Sequence, residues 1–123
     1  MMNGFLWTLQ VVLTAIFTAS GLLKISLSKD RLIALGQTGV TPFPMPVVRF
    51  AALCELLGAV GILVPRLLGV AESLTPVAAG GFAIVMVGAI GSHAYLREPR
   101  NVSLTALILV AAVTVAVGRA LPR

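Results

Sequence analysis

The sequence is short of charge, and of acid above all. Four Asp and Glu stand against nine Lys and Arg, and only 11% of the 123 residues are charged. Soluble domains carry about 25%, so little here could dress a water-facing surface. Cysteine occurs once, as Cys54, which excludes an intrachain disulfide and a thiolate metal cluster within one chain. Histidine also occurs once, as His93, too few for paired axial ligation of a haem. His93, Glu55 and Cys54 do not fall at a metal-ligand spacing, and no metal is expected. Aromatics make up 6%, which argues against a transmembrane barrel with aromatic girdles. No basic run is interleaved with aromatics, so the net charge of +5 does not point to nucleic acid. A phosphate loop and a nucleophile–base–acid set are absent as well.

Apolar sequence fills the space. Hydrophobic residues make up 59%, with a mean hydropathy of +1.06. A small soluble domain buries only part of its chain and could not hide this much apolar surface. The partner implied is a lipid bilayer. Apolar residues come in long runs rather than strict alternation, which predicts helices. Four runs stand out, at about 4–24, 47–64, 73–96 and 102–119, each near the ~20 residues needed to cross ~30 Å of hydrocarbon. Backbone polar groups cannot stay unpaired in lipid, so each run should be a helix. The expectation is an all-α, membrane-embedded four-helix bundle, one domain over residues 1–123, multi-pass in the cell membrane. "FTASG" offers small residues, but no positive n-region precedes the first run, so a cleaved leader is not expected.

The connections are unequal. The first is the longest, and its half "SKDRLIALGQTG" predicts a short amphipathic interfacial helix ending at Gly36 or Gly39. Its second half carries Pro42, Pro44 and Pro46, which bias the chain to extended geometry across the bundle mouth. Pro46 and Pro65 should close the second run at its two ends. Asn101 is a candidate cap for the fourth helix. Four crossings put Arg66, Glu72, Arg119 and Arg123 on one face, here face A. Lys24, Lys29, Asp30, Arg31, Arg49, His93, Arg97, Glu98 and Arg100 lie on face B. Counting cations makes face B cytoplasmic, but the bias nearly vanishes if Lys24 and Arg49 are site residues.

Glu55 is the informative residue. It lies inside "FAALCELLGAVGILVP", where nothing else carries a full charge. A carboxylate facing lipid would cost several kcal/mol, so it should point into the bundle, paired or protonated. Ala51, Ala52, Gly58, Ala59 and Ile62 make a small-residue face around it that admits a neighbouring helix. Arg49, six residues away, lies on another side of the helix; Lys24 or His93 are better partners. Gln10, Thr14, Phe17, Gly21 and Lys24 share one face of the first helix. On the third helix Phe82, Met86, Ala89 and His93 share a face, and Gly81, Gly88, Ser92 and Tyr95 share another suited to packing. Each residue also has a plain reading: Lys24 as a snorkelling lysine, Arg49 as a head-group anchor, His93 as interfacial, Cys54 as a small hydrophobe.

"ASGLLKIS" (Ala19 to Ser26), "VRFAALCELLGAVGILVP" (Val48 to Pro65) and "GFAIVMVGAIGSHAYLRE" (Gly81 to Glu98) together resemble the DoxX/DoxX-like family of small four-helix membrane proteins. Gly21, Lys24, Glu55, Gly58, Pro65 and His93 stand at the positions of the family pattern. The resemblance implies a modest set of activities. Some relatives are subunits of a thiosulfate:quinone oxidoreductase, and others are linked to oxidative-stress complexes. The fold is also similar to four-helix redox bundles that act on quinones through paired cysteines. Cys54 is unpaired, so that dithiol chemistry does not carry over.

The functional expectation is an accessory subunit of a membrane redox complex. A polar cluster of Lys24, Arg49, Glu55, His93 and Tyr95 would take a quinone- or lipid-like ligand or a partner. Gly21, Gly58, Ala59 and Gly88 would serve helix packing. Quinone is the one candidate cofactor; a redox subunit or a second copy of the chain are the candidate partners. The alternatives are a catalytic subunit passing electrons from a sulfur compound to quinone, and an assembly module with no ligand.

Overall fold

The computed structural model describes residues 2–121. Helix α1 runs Met2–Ser26, α2 Lys29–Ala34, α3 Met45–Leu68, α4 Leu74–Tyr95 and α5 Pro99–Ala120, with a 3₁₀ turn at Thr38–Val40. No strand occurs among the described residues. α1, α3, α4 and α5 are long and apolar enough to cross a membrane. Their 22 to 25 residues reach beyond ~30 Å at ~1.5 Å per residue.

The helix ends follow from local chemistry. Ser28 caps α2, its hydroxyl accepting from the Arg31 amide at 3.4 Å. Gly69, at φ 67°, ends α3 in the left-handed conformation and returns its amide to the Pro65 carbonyl. Two expectations are corrected here. Asn101 does not cap α5: Pro99 starts that helix earlier, with Glu98 as the preceding residue, because proline's fixed φ suits the first helical position. Pro65 does not close α3, which continues to Leu68. A proline inside a helix frees the carbonyl four residues back. That carbonyl, Gly61 O, is met by the buried Thr75 hydroxyl of α4 in a long 3.5 Å contact.

The four long helices form a ring in which α1 packs on α3, α3 on α4, α4 on α5 and α5 back on α1. Between lipid-bathed helices association rests on close packing and hydrogen bonds, since the tails are as apolar as leucine. The core is built from Leu13, Phe17, Ala59, Ile62, Ala79, Phe82, Ala112 and Val115. The Phe17 and Phe82 rings stack at 3.9 Å with planes 9° apart. Glycines mark the close crossings. A Cβ on Gly58 would fall 2.5 Å from Phe82 Cε1, and one on Gly21 2.7 Å from Leu56 Cγ. Gly88 stands apart from them: nothing in the chain lies within 4 Å of its would-be Cβ, so it makes no crossing here. Gly81 and Tyr95 share that outward side of α4, whereas Ser92 turns inward.

Face A is tied by polar contacts. The Arg119 guanidinium donates to Gln10 Oε1 and to Asn3 Oδ1, each at 2.7 Å, and lies over the Trp7 ring at 5.5 Å. Gln10 in turn donates to the Ile62 carbonyl at 2.8 Å, joining α1, α3 and α5. Arg66 and Glu72 pair at 3.2 Å. The start of α1 and the end of α5 therefore share a face. Arg123 lies outside the described residues.

Candidate functional site

Glu55 faces inward and is 1% exposed. Lys24 Nζ donates to its Oε1 at 3.0 Å and to Oε2 at 3.3 Å, and the Ser20 hydroxyl donates to Oε1 at 3.2 Å. Lys24 and Ser20 sit one turn apart at the face-B end of α1, so one helix face supplies both donors. The close α1–α3 crossing at Gly21 carries that face to Glu55. Charge-assisted bonds of this kind are about twice as strong as neutral ones. They supply the compensation a buried carboxylate requires.

Arg49 is drawn elsewhere. Its Nη1 donates to the carbonyls of Lys24 at 2.6 Å and Leu27 at 2.8 Å. These belong to the last turn of α1 and the residue after it, where carbonyls lack helical partners. Arg49 thus fastens the end of α1 to the start of α3 and does not line the cavity described below.

His93 does not reach Glu55. Its Nδ1 lies 2.8 Å from Glu98 Oε1. The chain leaves α4 through Arg97, a non-glycine residue at φ 59°, and this left-handed step folds Glu98 back toward His93. Glu98 Oε1 also accepts from the Thr38 hydroxyl at 2.8 Å and from Asn101 Nδ2 at 3.3 Å. The hydrogen bonds from His93, then from Thr38, hold the Glu98 carboxyl below its usual value, against the opposing effect of burial.

This second cluster positions a roof. The segment after α2 crosses the face-B mouth as the Thr38–Val40 turn. Ser92 Oγ donates to the Gly39 carbonyl at 2.6 Å. A Cβ on Gly39 would come within 3.1 Å of His93 Nε2, so glycine lets the roof settle on the imidazole. Leu32, Val40 and Val48 pack together and hold α2 and the turn against α3. Lys29 donates to the carbonyls of Thr41 and Phe43, bracing the proline-rich stretch.

Beneath the roof lies a cavity of about 450 Å³ between α1, α3, α4 and α5. Phe17, Ala51, Val85, Met86, Ala89 and Ile108 give it apolar walls, and Phe43 and Val40 form part of its ceiling. Lys24, Glu55 and Ser20 reach it from one side, His93 and Asn101 from the other. Ligand pockets have this character, mostly apolar with a few convergent polar groups.

Of the residues singled out from sequence, Lys24, Glu55 and His93 line the cavity; Tyr95, 77% exposed, points away from it. Sequence reasoning missed Thr38, Ser92 and the inward turn of Glu98 and Asn101. The signal available was a carboxylate and an amide three residues apart around Pro99, opposite a Thr-Gly pair in the long connection. No cluster of three or more His, Cys, Asp or Glu suited to a metal occurs among the described residues.

No curated protein and no solved structure matches the chain. The profile of the DoxX-like family matches residues 8–115, which takes in all of the cavity-lining segments. With four apolar helices of spanning length around an inward-facing Lys24–Glu55 pair, the chain is a multi-pass membrane protein and belongs to the DoxX-like family.

Proposed function

We propose that the cavity binds a quinone- or lipid-like amphiphile, and that the chain works as an accessory subunit of a redox complex in the cell membrane. The observation that carries this reading is the arrangement of the cavity: an apolar slot of about 450 Å³ with ionic groups at its face-B end. A ligand head group would take hydrogen bonds from Lys24 and exchange protons with Glu55. His93 and Asn101 offer a second polar contact opposite. Arg49 supports the site by holding the end of α1 in place. Electron transfer itself falls to a partner subunit, because the single cysteine gives the chain no dithiol of its own.

The test is chemical. Detergent-purified protein is extracted with organic solvent and the extract read by mass spectrometry, and decylubiquinone binding is measured at equilibrium. The expected result is a stoichiometric isoprenoid quinone or lipid in the extract and saturable decylubiquinone binding. Glu55→Gln should weaken binding about tenfold, in line with losing one charge-assisted contact of about 1.4 kcal/mol or more. Empty extracts together with no saturable binding would refute the proposal.

A further inference from the structure

The seam between α1 and α5 is tight at face A and parted toward face B. At face A, Leu6 of α1 packs against Gly118 of α5, where a Cβ would meet it at 2.8 Å, and Arg119 ties Gln10 and Asn3. Leu9, Ile16 and Leu23 follow at seven-residue intervals along one side of α1, as Leu104, Ala111 and Gly118 do along α5, so each set shares a side of its helix. Near face A these rows pack into the core: Leu9 and Ala111 both lie against it. Farther on they border the cavity instead. Ile16 and Leu104 each line the cavity and are also 37% and 52% exposed. Ala19, one turn on from Ile16, is also both lining and exposed.

The opposite wall differs. None of the α4 residues that line the cavity is exposed, and the Thr38–Val40 turn is hydrogen-bonded over that end through Ser92 and Glu98. The roof is thus latched by directional polar contacts, whereas the α1–α5 seam is bordered by apolar side chains that need only move aside in lipid.

We infer that the ligand reaches the cavity sideways from the face-B leaflet through the α1–α5 seam, between Ala19 and Leu104. It binds with its polar head at Lys24 and Glu55 and its apolar tail trailing out into the bilayer. This rests on the binding reading above and narrows it. The ligand class is a membrane-dissolved amphiphile with a long tail, and the site reads the head group and ignores the length of the chain beyond the seam. Gly36, Phe43 and Val47 also line the cavity and are exposed beside the roof, so entry of a water-soluble metabolite on that side is the route that the roof variants test against.

The experiment uses the full chain in vesicles, with Trp7→Phe and Val85→Trp as reporter, quenched by decylubiquinone. Rates of uptake, and of loss into an excess of empty vesicles, are compared with the equilibrium constant. Ala19→Phe, which adds bulk at the seam, should slow uptake and loss about tenfold each while Kd stays within twofold. Leu104→Ala should speed both, and the roof variants Thr38→Val and Ser92→Ala, which remove latch contacts without touching the cavity lining, should leave both within twofold. Quinones of two and ten tail carbons should differ in Kd only as much as they differ in partitioning into vesicles. The inference is overturned if the roof variants change the rates and the seam variants do not, or if Ala19→Phe changes Kd as much as either rate. Absence of saturable binding in the reporter chain and in the unsubstituted chain alike is a different failure. It removes the binding reading itself and the route with it.

Discussion

Lys24 and Glu55, thirty-one residues apart in sequence, meet at 3.0 Å inside the bundle with the carboxylate 1% exposed. The carboxylate is not tolerable alone at that depth, whereas the Lys24 ammonium, 15% exposed in the last turn of α1, can reach the membrane surface. Removing one partner of a buried pair destabilises by about 3–5 kcal/mol, whereas replacing both with apolar groups is often neutral. Lys24→Met should therefore lower thermal stability in detergent markedly, and Lys24→Met with Glu55→Leu should recover most of the loss. The double-mutant cycle also separates structure from binding. The recovered double variant should fold and still fail to bind decylubiquinone; a double variant that binds as well as the parent would mark the pair as an assembly device alone.

Close packing gives a second expectation. Gly58→Ala places a methyl carbon 2.5 Å from Phe82, whose ring cannot swing aside because it stacks on Phe17. Overpacking of this kind costs about 1–3 kcal/mol. Gly88→Ala meets nothing within the chain and gains helix propensity of about 0.5–1 kcal/mol. Melting temperatures of the two variants should thus move in opposite directions. A drop at Gly88→Ala that depends on protein concentration would instead report an oligomer contact on that face.

Arg49 should behave as a fastening. Arg49→Met strands the part-buried carbonyls of Lys24 and Leu27, a loss of at most about 1–3 kcal/mol for each acceptor left without a partner. The expected signature is a lower melting temperature with decylubiquinone affinity, measured on the folded fraction, within about twofold. A tenfold loss of affinity at unchanged stability would make Arg49 a ligand contact.

The roof should respond to acid. Hydrogen bonds from His93 and Thr38 keep the Glu98 carboxyl below its usual value, so its folded value lies under its unfolded one. Such a group contributes stability that is fully present above the ordinary glutamate value of about 4.3 and is lost as pH falls through the folded value. Melting of the parent chain should therefore fall more steeply than that of Glu98→Gln between about pH 5 and pH 3. Parallel curves there would show that Glu98 is not held by its donors.

The bundle was legible in the sequence because lipid allows few solutions: four apolar runs of spanning length have to be helices. Glu55 was legible for the same reason, and Lys24 was its natural counter-ion because a lysine one turn from the end of α1 can reach inward. The partner of His93 was not legible. It depends on the left-handed step at Arg97, and a non-glycine residue rarely announces that conformation. The roof was hidden too. The prolines gave an extended Pro44, but the contact of Gly39 with His93 depends on two segments more than fifty residues apart. Pro65 misled because a proline near a helix end need not stop it when a neighbour's hydroxyl stands ready for the released carbonyl.

The direction of synthesis adds meaning to the ion pair. Lysine at position 24 leaves the ribosome before glutamate at position 55, and it sits where a flexible ammonium can wait among head groups. The acid then arrives in a membrane already holding its counter-charge. A nascent chain whose first helix fails to lodge would have to insert α3 with that carboxyl unpaired or protonated, at a cost of several kcal/mol.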